Sequence, residues 1–202
     1  MKQKIFTLFT VLFFTHLSYC QETNNDRDRV LSAKEIVFYG YDFSHFKLAD
    51  AKRMDQDIRK FTFMWIGLCE ESITKKKLQN KLNKDNVIWN FEPTLNINKK
   101  LNSEDLVTPA TYTFMKDSLQ SFINAYSITE KEGIGFVINI ECFDNAHKKV
   151  FAYYTFFDIA TKKILMTDYI SSWNGNSYNR VLDWGDALVV NIKKYLSVYK
   201  DK

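Results

Sequence analysis

Clustered glycine is what this chain most lacks: its six glycines are scattered singly along 202 residues. That excludes a glycine-rich loop whose backbone N–H groups would cradle a phosphate. No G-x-S-x-G stretch is present, which excludes the strained nucleophile elbow of the α/β-hydrolases. Cysteine is sparse at three residues. Neither Cys69 nor Cys142 stands at a predicted helix start with basic neighbours, the setting that would lower its pKa. No internal repeat, heptad or low-complexity tract occurs. A dense basic stripe is missing too. The best candidate, "TKKKLQNKLNK" from Thr74 to Lys84, has the Lys and Leu spacing of an amphipathic helix with a solvated face. Nucleic acid is therefore not an expected partner.

What is present begins with a leader. Lys2 and Lys4 precede "IFTLFTVLFFTHLS", Ile5 to Ser18, which carries no charge. A basic start and an apolar stretch of this length predict a secretory signal over residues 1–20. It is too short for a membrane span. Ser18 and Cys20 supply the small residues needed before a cut at Gln21. The same residues have a second reading, a bacterial lipoprotein anchored through an acylated Cys20. Leu17, Ser18 and Cys20 suit it and Tyr19 departs from it. The expected localisation is thus periplasmic or secreted, with membrane contact only if Cys20 is lipidated. The leader holds two Lys and no acid, so its removal takes the net charge from +4 to +2. Export also exposes Cys69 and Cys142 to oxidising conditions. A Cys69–Cys142 bridge would close a loop of about 70 residues and stabilise by roughly 4 kcal/mol. Two buried thiols are the alternative.

After the leader, residues 21–33 are rich in Asn, Asp and Arg and predict a flexible lead. Residues 34–202 predict one α+β domain. "EIVFYGYDF", Glu35 to Phe43, predicts a strand. Ile58, Phe61, Trp65 and Leu68 then recur at helical spacing, with Asp50, Asp55 and Asp57 toward the helix start. A charged helix to about Leu82 follows, then a short strand "NVIWNFEP" stopped by Pro93, and residues 94–110 predict irregular chain apart from "EDLVT". Leu119, Phe122, Ile123 and Tyr126 mark another helix. "GIGFVINIECF", "KKVFAYYTFFDI" and "KKILMTDYISSW" predict three strands joined by short links. Val181 to Leu196 closes the chain as a helix across the sheet. The expected order is β-α-α-β-α-β-β-β-α. The expected fold is a mixed sheet with a C-terminal three-strand antiparallel meander and helices packed on one face.

Two places could carry chemistry. "DFSH", Asp42 to His45, is echoed by "DNAH", Asp144 to His147, and His45 and His147 are the two histidines outside the leader. Imidazole and carboxylate together are the ligands of zinc and related ions. Each pair also sits at a strand end, where turns favour Asp and Asn. The second place is "SSWNGNSYNRVLDW", Ser171 to Trp184. There Trp173, Asn174, Tyr178 and Arg180 offer ring faces beside polar groups, a setting for a sugar ring or peptide. The bland alternative is a connection whose aromatics cap the core.

At "YGYDFSHFKLAD" and at "YYTFFDIATKKILMTDYISSW" the chain resembles uncharacterised exported proteins of the Bacteroidota that share a domain of unknown function. The resemblance implies a strand ending in a Phe-Asp turn, then a Gly-containing loop and a closing helix. It brings no catalytic residues and no cofactor. The expected function is a non-enzymatic envelope or secreted module that binds a protein, peptide or glycan. The alternative is a metal-dependent or hydrolytic enzyme using the two Asp/His pairs.

Overall fold

A computed structural model describes residues 24–50, 57–173 and 181–199. The sheet is organised around one strand, β5 (Ile134–Asp144), which is buried along its whole length. One edge of β5 takes two strands end to end. β1 (Glu35–Asp42) lies parallel to its first half and β2 (Lys47–Ala49) parallel to its second. Outside them, β3 (Asn86–Trp89) is parallel to β1, and β4 (Val107–Thr108) is parallel to β2. The other edge of β5 takes β6 (Lys149–Asp158) antiparallel, and β7 (Ile164–Trp173) pairs antiparallel with β6.

This corrects the expected α+β class with helices on one face. Four of the six strand pairings are parallel, and the N-terminal strands form the parallel part of the sheet. Parallel partners arrive through long connections, so no turn signal in the sequence marks them. Helices also pack on both faces. Strands buried on both sides read as continuous apolar runs, which is how β1 and β5 read.

The first face packs on α2 (Ile58–Ser72), α3 (Lys75–Leu82) and α6 (Val181–Tyr199). Trp65, Ile66 and Cys69 of α2, Leu78 and Leu82 of α3, and Trp184, Leu188, Ile192 and Tyr195 of α6 meet Phe38, Phe136, Tyr154 and Phe156 there. The second face packs on α5 (Ser118–Asn124). Leu119, Phe122 and Ile123, with Tyr126 just beyond, meet Val37, Tyr39, Val137 and Phe157. Strand alternation sends successive residues to opposite faces, so one run of sequence feeds both cores.

Several segments differ from expectation. The lead forms α1 (Asn24–Ser32). Val30 is fully buried, Arg29 pairs with Asp158 at 2.5 Å and Lys163 with Asp26 at 2.7 Å. The Lys84 ammonium donates to the Val30 and Leu31 carbonyls at 2.7 and 3.1 Å, closing the end of α1. Residues 94–110 contain most of α4 (Glu92–Asn98), with Pro93 in its first turn, then a 3-10 helix (Ser103–Leu106) and β4. α4 does the work of a missing strand. Thr94 donates to the Tyr39 carbonyl at 2.5 Å, and Asn98 donates to the Tyr41 carbonyl at 2.8 Å. These satisfy the edge of β1 where β3 has ended. There the register shifts between Phe38 and Tyr41, and Gly40 adopts φ +84°. A Cβ at Gly40 would lie 2.9 Å from the Phe91 ring, so the bulge requires glycine on both counts.

Candidate functional site

The second face is polar toward the C-terminal ends of its parallel strands. Asp42 ends β1 and is buried. Its Oδ2 accepts from the Tyr126 hydroxyl at 2.5 Å and from Asn139 Nδ2 at 3.1 Å, while Oδ1 accepts from the Ser44 N–H at 2.7 Å. Thr155 donates to Asn139 Oδ1 at 2.9 Å. Burial, then the neighbouring Asp42 charge, pushes the Tyr126 phenol well above its ordinary range, so it stays a neutral donor. His45 lies flat on the Phe122 ring at 3.6 Å between centroids. Burial lowers its pKa, helped by Lys47 and opposed by Asp42.

Further along β5, Ile140 and Phe143 both face the first core, and the register shifts between Ile140 and Cys142. Glu141 and Cys142 therefore both turn to the second face. Glu141 is fully buried. It accepts from the Phe114 N–H at 3.0 Å and from the Tyr169 hydroxyl at 2.6 Å. Burial raises its pKa, and those two hydrogen bonds offset only part of the rise. Asp144 accepts from the Thr111 hydroxyl, from His147 Nδ1 at 2.9 Å and from the His147 N–H at 2.9 Å. Burial alone would raise the Asp144 carboxyl, but those donors hold it below its ordinary value. The chain from Thr111 to Phe114 thus lies over β5, tied at Asp144 and Glu141.

Beyond that strap nothing among the described residues covers the face. Val150 and Ala152 belong to the first core, so Lys149, Phe151 and Tyr153 stand on the second face. On β7, Ser172 Oγ accepts from Asn191 of α6, so Ser171 and Trp173 face the other way, with Tyr169. Tyr169 is 43% exposed and Trp173 64%. The Tyr169 ring lies 4.5 Å from Tyr153 and 6.1 Å from Phe151. Trp173 is paired in register with Lys149. Met115, 76% exposed, follows Phe114, whose ring stacks on Tyr153 at 5.2 Å. This is a ring platform with a polar border of Ser171, Thr111 and His147.

Of the residues singled out in the sequence, Trp173 stands on this platform. Asn174, Tyr178 and Arg180 lie outside the described residues, and so does Cys20. The structure joins Asp144 to His147 and keeps Asp42 within its own network. Among the described residues no three His, Cys, Asp or Glu side chains gather into a set that could hold a metal. Cys69 and Cys142 are free, buried thiols. They are kept apart because Cys69 faces the first core while Cys142 lies beneath Tyr112 on the second. No helix among the described residues is long and apolar enough to cross a membrane. No protein-family model matches the chain, and neither does any curated protein.

Sequence reasoning missed Glu141, Tyr169, Phe151 and Lys149. One signal was available. Asn139 and Glu141 are the only polar residues inside "FVINIECF", and a carboxylate in a strand of that kind needs dedicated partners.

Proposed function

We propose that this chain is an exported, non-catalytic binding module that holds a saccharide on the half of the second face beyond the strap. Export is supported by Lys2 and Lys4 followed by the uncharged run Ile5–Ser18. Binding is supported by one observation above all: the exposed rings of Tyr169 and Trp173 beside Phe151 on a sheet surface that no described residue covers. A sugar ring offers a face of C–H bonds and a rim of hydroxyls. The face makes dispersion contacts with an aromatic ring, and the rim takes hydrogen bonds from polar neighbours. The Tyr169 ring is already fixed through its bond to Glu141, so little freedom is lost when a ligand arrives. A protein partner would need about 800 Å² of this surface. A few rings interleaved with Ser171 and Lys149 suit a smaller ligand.

The test is calorimetric titration with hexasaccharides of glucose, xylose, mannose and galactose. Trp173→Ala is expected to abolish binding while keeping its melting temperature. If no hexamer binds at millimolar concentration, the reading fails. Hydrolysis through His147, held by Asp144 at 2.9 Å, is the competing reading. Cleavage of a hexamer that stops in His147→Ala would favour it.

A further inference from the structure

The charge placed directly opposite the exposed Trp173 ring is a cation. The platform's two carboxylates, Glu141 and Asp144, are buried and accept hydrogen bonds from Tyr169, Phe114, Thr111 and His147. Among the described residues, exposed Lys149 stands directly opposite Trp173, with His147 in the same hairpin. Lys47 stands across the sheet on β2, bonded to the Asp105 carbonyl and 5.8 Å from the Tyr112 ring centroid. Lys47 and the acids of that end, Asp50, Glu104 and Asp105, are separated from Trp173 by β5 and β6 in sheet order.

We infer that the saccharide bound here carries carboxylates, a uronate-containing glycan. The inference rests on the saccharide reading above and adds its charge. One uronate ring stacked on Trp173 would place its carboxylate within reach of the Lys149 ammonium, a charge-assisted contact at an otherwise dispersive site. The ligand class follows from the number of cations. Single-stranded nucleic acid also stacks on rings, but it needs a groove of positive charge along its backbone. A single ammonium opposite the exposed ring matches a glycan with at most one charge per ring.

Hexagalacturonate and hexamannuronate, each compared with its fully methyl-esterified form, give the test by calorimetry. The ester keeps the rings and removes the charge. At least one uronate should bind tenfold or more tighter than its ester in low salt, and 0.5 M NaCl should erase most of that gap. Lys149→Gln should bind both forms at the ester's affinity, whereas Trp173→Ala should lose both. Equal binding of acid and ester would overturn the inference and leave the saccharide reading standing. Binding of neither form would overturn the inference, and the neutral hexamers would then decide the saccharide reading separately. A twelve-residue thymidine oligonucleotide binding tighter than either uronate would overturn it in favour of base stacking.

Discussion

The two faces of this sheet are built from alternate residues of the same strands, yet they are different materials. The first is an aromatic core under three helices, where Trp184 stacks on Phe143 and Trp65 packs tilted against it, with Asn191 of α6 bonded to Tyr154 and Ser172. The second is covered in parts: by α5, then by the strap from Thr111 to Phe114, then by nothing among the described residues. Its interior holds Asp42, Asn139, Glu141 and Asp144, each fully partnered. The contrast separates two tasks. A face dominated by apolar rings stabilises through contact area and tolerates no gaps. A face with partnered polar groups has fixed geometry, which suits recognition.

Substitution on the first face should produce the largest effect. Trp65 is fully buried among Phe43, Phe46, Phe61 and Phe143. Trp65→Ala should cost about 3–5 kcal/mol, measured by denaturant unfolding. A loss under about 1 kcal/mol would mean this face is not the principal core. On the second face, Tyr126→Phe removes one hydroxyl and keeps the ring. It should cost about 1–3 kcal/mol, because Asp42 Oδ2 loses a buried donor and keeps only Asn139. No cost would mean water replaces the hydroxyl there.

How much of this contrast could be read from the sequence differs by level. Where the elements lie was legible in the C-terminal half, because Ile134 to Trp173 is dense in β-branched and aromatic residues and α6 repeats its apolar positions at helical spacing. Which strands pair was not. β2 has three residues and β4 two, too short to show any period. The register of β1 on β5 depends on residues about a hundred positions apart. Trp173 was legible as an aromatic beside polar residues. Tyr169 and Lys149 became site residues only through the pairing of β6 with β7. The expected link between the two Asp/His pairs failed for the same reason. Local spacing places Asp144 beside His147 within one turn, but the distance between two strand ends is a property of the sheet.

Acid–base behaviour separates the faces further. Glu141 has a raised pKa in the fold, with burial as the main cause. Between the ordinary glutamate value of about 4.3 and the raised folded value, the folded state binds more protons than the unfolded one. Its contribution to stability is therefore fully present below about pH 4.3 and is lost as pH rises through the folded value. Glu141→Gln should remove that dependence. The melting temperature of the variant relative to the parent should climb from pH 4 to pH 7, and a constant difference would show that Glu141 is not desolvated. The Gln side chain can still accept from the Phe114 N–H and donate to the Tyr169 hydroxyl, so the strap should stay in place.

The smallest effect on stability should come from the platform itself, and that is what makes it diagnostic. Trp173 is exposed and ends β7, so Trp173→Ala removes little buried surface. Its cost should stay within about 0.5 kcal/mol. For a domain of this size that is a shift of about 1–2 °C. A drop of many degrees would mean that Trp173 is covered in solution and belongs to a core. Tyr169→Phe sharpens the point, because it keeps the ring and cuts the bond to Glu141. That bond leaves from the buried end of a half-exposed side chain, so its loss should cost stability, about 1–3 kcal/mol for the carboxylate left short of a donor. Affinity for a stacked ligand should fall far less than in Trp173→Ala. If instead the two variants lose affinity equally, the rings act only when locked upright, and the rigid polar interior of the second face is part of the binding site rather than its support.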